Sequence, residues 1–230
     1  MIDIETLLVD LQGRLQAVAE PERAPQMAVY MKTSQPFYGV SSPARAAVQR
    51  AWLKTIPAHL VKDQTAYETL VLAVWRLPHR EEQYVALAVA RHFKRFLTPA
   101  SLPLMRTLVT EGAWWDLVDE IAQHLVGTIL DKYPTQTWPV MDVWINDPNL
   151  WLRRTAILAQ NRRKAKTEPD RLFRYCLSRA QEKDFFIRKA IGWALRQYAY
   201  VDADAVIGLL ERYPDTFSPL TVREASKHLS

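Results

Sequence analysis

Trp115, Asp119 and Trp193 stand out in this 230-residue chain as side chains of the right kind and spacing to act on a bound ligand. The first two belong to Trp114-Trp115-Asp116-Leu117-Val118-Asp119, the third to Ile187-Arg188-Lys189-Ala190-Ile191-Gly192-Trp193-Ala194. Both segments read as amphipathic helices, in which neighbouring residues are turned by about 100°. Trp114, Leu117, Val118, Ile121 and Leu125 then share one apolar stripe, and Ile187, Ala190, Ile191, Ala194 and Tyr198 share another. Trp115 and Asp119, four apart and therefore side by side, fall off the first stripe. Trp193 falls off the second, beside Lys189. Two tryptophans and a carboxylate thus stand where packing does not ask for them. Flat aromatic faces hold sugars and bases and attract cationic ones. A carboxylate among them stabilises positive charge developing at a sugar C1′, the oxocarbenium-like logic of glycoside cleavage. Each residue also has a structural reading. Asp119, with Asp116 and Glu120, lies in early helical turns where the dipole favours anions, and tryptophans can close the ends of helical repeats.

The charge distribution supplies a setting for that chemistry. The net charge is +5, yet between Trp151 and Tyr200 thirteen Lys/Arg face four acids, so that stretch carries +9 and the rest of the chain −4. One basic segment on an acidic remainder suits a polyanionic partner. The alternative is a solvated helix surface whose counter-charges come from elsewhere in the fold.

The elements that must position these residues are helices. Helical periodicity covers approximately 3–18, 22–33, 43–56, 64–77, 80–96, 100–110, 114–132, 136–146, 149–162, 168–182, 184–199, 202–213 and 218–229, and no hairpin signal interrupts it. Ser42-Pro43, Thr98-Pro99, Asp147-Pro148, Glu168-Pro169 and Tyr213-Pro214 mark starts and stops. Trp151-Leu152-Arg153-Arg154-Thr155-Ala156 echoes as Phe186-Ile187-Arg188-Lys189-Ala190-Ile191 after 35 residues, and helix pairs recurring at about 35–45 residues are the signature of HEAT-like arrays, although the echo is weak elsewhere. The expected fold is therefore all-α: a HEAT-like α-solenoid with a concave binding surface, formed by residues 1–230 as one domain. In that register Arg154 and Lys189 are equivalent. A non-repetitive bundle is the alternative for the first half.

Other chemistry is missing from the sequence. His59, His79, His92, His124 and His228 are scattered, so neither a metal nor another cofactor is expected; His79 and His92 read as surface residues and His124 as a helix residue. There is no glycine-rich phosphate loop, no Gly-x-Ser-x-Gly elbow and no nucleophile–base pair. The single cysteine, Cys176, lies among Leu172, Phe173 and Leu177 and reads as a buried small hydrophobe. Its solitude, the acidic start Met1-Ile2-Asp3-Ile4-Glu5 and the lack of a long apolar run point to a cytoplasmic protein with no membrane contact.

These segments also carry a resemblance. Trp114–Asp119, Leu150-Trp151-Leu152-Arg153-Arg154-Thr155-Ala156-Ile157-Leu158 and Ile187–Ala194 resemble signature segments of the AlkD-type alkylpurine DNA glycosylases, as do Tyr30-Met31-Lys32, Pro36-Phe37-Tyr38-Gly39-Val40 and Glu82-Gln83-Tyr84-Val85-Ala86-Leu87. The likeness runs from about residue 20 to residue 215. One departure is Pro43-Ala44-Arg45-Ala46, with alanine where many relatives carry a second arginine. The resemblance implies a helical solenoid that wraps duplex DNA and excises N3- and N7-alkylated purines without flipping the base into a pocket. It also implies that Trp115, Asp119 and Trp193 meet the lesion's deoxyribose, that Arg154 holds the backbone, and that Tyr30 touches DNA.

The expected activity is thus monofunctional N-glycosidic hydrolysis on double-stranded DNA by a monomer, with Asp119, Trp115 and Trp193 catalytic. Arg154, Lys189, Tyr30, Arg153 and Arg188 are the expected DNA contacts. No lysine is placed by motif to form a Schiff base, so lyase activity is not expected. Two rivals stay open: a non-catalytic helical-repeat protein that binds distorted duplex, and a protein-binding solenoid whose basic face meets an acidic partner.

Overall fold

The computed structural model describes residues 3–229; Met1 and Ile2, from the acidic start noted above, and Ser230 lie outside the described residues. Backbone contacts divide the chain into two compact units, Met1–Leu97 and Thr98–Ser230. Among the described residues every regular element is helical, as the periodicity predicts, and no helix is long and apolar enough to cross a membrane.

The first unit holds α1 (Ile4–Gln16), α2 (Ala24–Met31), α3 (Ser42–Leu53), α4 (Gln64–Trp75) and α5 (Arg80–His92), with a short 3₁₀ turn at Ala58–Val61 that periodicity does not predict. Asp3, Ser41 and Asp63 cap α1, α3 and α4 through their side-chain oxygens. Leu7, Leu11 and Leu15 recur every fourth residue of α1 and are buried. The Trp52 indole donates to the Leu7 carbonyl, 3.1 Å away.

Two of the sequence segments that carry the resemblance are joined to each other by the fold. The buried Glu81 carboxylate accepts the backbone N–H groups of Tyr38, Gly39 and Val40 at 3.0–3.1 Å. Its neighbour Glu82 accepts the Tyr38 hydroxyl at 2.9 Å and the His79 N–H at 2.7 Å. The loop ahead of α3 is therefore clamped onto the start of α5. Only glycine fits at residue 39, where φ is 85° and a Cβ would lie 2.1 Å from the Glu20 carbonyl oxygen. His79 is not the surface residue expected from its sequence position. It stacks on the Tyr38 ring, 3.7 Å between centroids, and closes a capping box with Glu82.

The second unit holds α6 (Leu102–Gly112), α7 (Trp115–Glu120), α8 (Gly127–Lys132), α9 (Pro134–Trp144), α10 (Leu150–Leu158), α11 (Pro169–Ser178), α12 (Phe185–Ala199), α13 (Ala203–Arg212) and α14 (Pro219–Ala225). Between α7 and α8 the helix widens into a π-helical turn at Ile121–Val126, so the continuous helix expected over 114–132 changes pitch directly after Glu120. Such turns are uncommon and concentrate at functional sites. The α7–α8 segment, α10, α12 and α14 pack in sequence, with α9, α11 and α13 set against them. Hydrogen bonds tie equivalent positions of successive repeats: Arg154 to Asp119, Lys166 to Asp131, Gln181 to Thr216 and Lys189 to Glu224 all span 35 residues.

Both predicted stripes form the core here except at Trp114, which stands half-buried in extended backbone as the N-cap of α7. Leu117, Val118, Ile121 and Leu125 are fully buried, as are Ile187, Ala190 and Ile191, with Ala194 and Tyr198 nearly so. Cys176 is enclosed, and burial pushes its thiol pKa up, away from reactivity.

Candidate functional site

Three helix starts set the site. Ala113 ends α6 at φ 36°, an unfavourable conformation for a residue with a Cβ, and throws the chain sharply into α7. Asn149 and Asp184, again 35 apart, cap α10 and α12 through their side chains. With the three helices begun in this way, Trp115, Asp119, Arg154, Lys189 and Trp193 line a single cleft of about 360 Å³, wholly within the second unit. Beneath it Trp114, which lies on the expected stripe, meets Trp151 and Phe186 at ring distances of 5.9 and 5.2 Å. Trp115, on the neighbouring position, is left facing the cleft.

Asp119 is held by a fork. Arg154 Nε donates to Oδ1 at 2.7 Å and Nη2 to Oδ2 at 2.8 Å, while Nη1 donates to the Phe186 carbonyl on α12. The arginine is 4% exposed. A bidentate guanidinium fixes the plane of a carboxylate in a way a lysine cannot. Each carboxylate oxygen keeps a second lone pair for the cleft. Burial raises the Asp119 pKa above its ordinary value, and the hydrogen bonds and charge of Arg154 pull against that rise.

Lys189 reaches the cleft by a parallel device. Its ammonium donates to Glu224 Oε2 at 2.6 Å, and Glu224 also takes Arg196 and, at 3.0 Å, Lys227. These cations hold the Glu224 carboxyl at a pKa of about 2 despite its burial. Glu224, Arg196, Phe185 and Phe186 line the cleft although residue spacing does not single them out. One signal was available. Gly192 interrupts the helical pattern of α12, and a Cβ there would lie 2.6 Å from Glu224 Cβ and 2.8 Å from the Thr221 carbonyl oxygen. The glycine is what lets α14 approach and deliver Glu224.

The remaining candidates lie elsewhere. Arg153 donates to the carbonyls of Asp147 and Pro148 and pairs with Glu182 at 2.9 Å. Arg188, its equivalent one repeat on, donates to the Glu182 carbonyl at 3.0 Å. Both brace the turn before their helix and neither lines the cleft. Tyr30 is 73% exposed on α2, in the first unit.

The basic segment is largely neutralised by the fold. Nine of its thirteen cations form ion pairs, and Asp119, Asp131, Asp142 and Glu224 outside the segment supply much of the counter-charge. Among the described residues Arg162, Lys164, Lys183 and Arg188 form no ion pair. The formal +9 therefore overstates the positive field of this stretch.

The second unit is thus an all-helical repeat whose cleft brings Asp119 together with Trp115, Trp193, Arg154, Lys189 and Arg196. The sequence profile described as DNA alkylation repair enzyme matches residues 11–229, and the chain belongs to that family. A solved structure described as a predicted DNA alkylation repair enzyme from Enterococcus faecalis is 31% identical, with 92% of this chain and 97% of that chain covered and a TM-score of 0.81. AlkD2 from Streptococcus mutans shares the fold at 16% identity, covering 98% and 99% of the two chains, with a TM-score of 0.67. So does smu.31 from Streptococcus mutans UA159, at 19% identity, 82% and 98% coverage and a TM-score of 0.60. None of the curated proteins matches the chain.

Proposed function

We propose that this chain is a monofunctional DNA glycosylase that hydrolyses the N-glycosidic bond of cationic N3- and N7-alkylated purines in duplex DNA. The observation that carries this reading is the Asp119 carboxylate, presented to a cleft it shares with Trp115 and Trp193 and oriented through both oxygens by Arg154.

Alkylation at N3 or N7 makes the base a cationic leaving group, so the C1′–N9 bond breaks with its electron pair neutralising the base and no general acid is required. The difficulty then lies in the sugar, which becomes cationic at C1′. An oriented, mostly buried carboxylate stabilises that charge without reorganising. Asp119 also directs a water to C1′; the water oxygen forms the new bond and its proton leaves to solvent. Trp115 and Trp193 hold the deoxyribose by their faces. Arg154, buried and committed to Asp119 and the Phe186 carbonyl, orients Asp119, and Lys189 and Tyr30 contact the duplex. The Lys189 ammonium is engaged by Glu224, which agrees with hydrolysis and with no Schiff-base step.

The test is a duplex carrying one 7-methylguanine, incubated with the protein and assayed for free base and for an abasic strand. Release of the base with an uncleaved abasic strand is the expected outcome. Tight binding without release would move the assignment to a non-catalytic binder of distorted duplex.

A further inference from the structure

A second and larger cavity, about 620 Å³, opens at the C-terminal ends of α10 and α12, away from the cleft residues of both helices. Its size is that of an ordinary ligand pocket. Arg162 and Lys164 line it, and both belong to the four cations of the basic segment that no acid neutralises among the described residues. No carboxylate is among the lining residues. Leu172, Ala194 and the Tyr198 ring form an apolar wall, Gln197 and Asn161 supply amides, and Tyr200 stands 61% exposed at the rim. The Asn161 Nδ2 donor is buried and has no hydrogen-bond partner. An unmet buried donor asks for an acceptor.

The loop that carries the two cations is built, not slack. Gln160, almost fully buried, brackets it by accepting from the Glu168 N–H at 2.8 Å and donating to the Glu168 carbonyl at 3.3 Å. Arg163 and Lys166 turn to Asp131, at 3.5 and 3.0 Å. Lys164 holds φ at 51°, a left-handed conformation uncommon for a residue with a Cβ. The intervening residues Arg162 and Lys164 are thereby left to the cavity.

We infer that this cavity is a second nucleotide-binding site, taking one phosphate on Arg162 and Lys164 and one base against the exposed Tyr200 ring, with the largely buried Tyr198 as its apolar floor. Guanidinium and ammonium groups without a counter-ion recognise phosphate. Tyrosine faces accept any base, and the Asn161 and Gln197 amides meet base-edge acceptors and donors. The ligand is either a free mononucleotide or a single-stranded unit of a nucleic-acid chain; the site rests on the chain's meeting nucleic acid and not on excision.

The experiment is calorimetric titration of the protein with deoxyadenosine monophosphate and, separately, with an undamaged pentathymidylate, followed by photocrosslinking with 5-iododeoxyuridine in the central position of the pentamer. The comparison is between wild type, Arg162→Ala/Lys164→Ala and the control Arg50→Ala/Lys183→Ala, which removes the same charge from exposed positions elsewhere; thermal melts confirm that all are folded. Affinity should fall about tenfold or more in the first variant and less than about twofold in the control, and the crosslink should map to Tyr198 or Tyr200. Binding of the mononucleotide identifies a free ligand, and binding of the pentamer alone identifies a strand; either supports the site. No binding of either, equal losses in both variants, or crosslinks confined to Trp115 and Trp193 would overturn it. None of these readouts uses a lesion, so a failure to excise leaves them unaffected.

Discussion

Arg154 meets the Asp119 carboxylate with two nitrogens, at 2.7 and 2.8 Å, from the equivalent position one 35-residue repeat further along the chain. The contact is at once a repeat-stacking interaction and the orienting device of the cleft. A buried pair of this kind is not a strong source of stability, because desolvating both ions offsets their attraction. Its geometry serves the carboxylate.

Asp119→Asn is expected to remove most excision of 7-methylguanine while DNA affinity stays equal or rises, since a negative charge near the backbone is lost. The asparagine still offers Arg154 one acceptor, so the melting temperature should fall only by the equivalent of about 1–3 kcal/mol. Excision at the wild-type rate would remove Asp119 from the mechanism.

The pH profile follows from the raised Asp119 pKa. The ionised form is the active one, so the excision rate should decline on acidification through an apparent pKa above the ordinary aspartate value of 3.8. For stability the sign is opposite: a carboxyl whose folded pKa is raised favours the fold most when protonated, and that contribution is lost as pH rises through the folded pKa. Single-turnover rates from neutral pH downwards, corrected for uncatalysed depurination, measure the first effect. An acid limb at or below the ordinary value would contradict the environment described for Asp119.

Arg154→Lys keeps the charge and loses the fork. Excision should drop by about tenfold or more, with a smaller change in duplex affinity, because the lysine cannot hold both carboxylate oxygens. Equal losses in rate and affinity would mean that Arg154 acts on the backbone alone.

Glu224→Gln should free Lys189 and Arg196. The dependence of duplex binding on salt should steepen by about one counterion for each cation that gains a phosphate. Wild-type Glu224, with a folded pKa near 2 against an ordinary 4.5, stabilises the protein above pH 4.5 and loses that contribution as the pH falls towards 2. The variant's acid-unfolding curve should lack this component. An unchanged salt slope would show that neither cation gains a phosphate when Glu224 loses its charge.

Gly192→Ala tests the approach of α14. Alanine gains about 1 kcal/mol of helix propensity, but its Cβ would meet Glu224 Cβ and backbone of Thr221 inside contact distance, and overpacking typically costs about 1–3 kcal/mol. A net loss of stability with weakened Lys189 placement is expected, read by thermal melts and by the salt slope of binding. A more stable variant with unchanged binding would show that α14 is free to move.

Lesion charge is the sharpest check on the mechanism. Cationic N3- or N7-alkylpurines should be released, and the neutral lesions uracil and 1,N6-ethenoadenine should not, because a neutral base leaves poorly without an acid. Enlarging the N7 substituent should slow release only mildly if the tryptophans grip sugar. Efficient uracil release, or a steep loss with adduct size, would demand an enclosed base pocket.

Much of this was legible in the chain itself. Helical period, proline punctuation and the two apolar stripes are local properties, so the helices and the off-stripe positions of Trp115, Asp119 and Trp193 follow from residue spacing. The 35-residue echo likewise places Arg154 and Lys189 in register. What spacing does not encode is which partner each charge meets. Only the stacked helices decide that Arg154 turns to Asp119, that Lys189 turns to Glu224, and that Arg153 and Arg188 brace their own loops. The same holds for the basic segment, whose net charge is a sum over sequence while its field depends on acids brought in from Asp119, Asp131, Asp142 and Glu224. His79 departs from its expected surface place for that reason: Tyr38 lies 41 positions away and becomes its neighbour only when Glu81 and Glu82 clamp the loop. Side-chain type and helical face are written locally; pairing, burial and the shape of a cleft are set by long-range contacts, and those exist only in the folded chain.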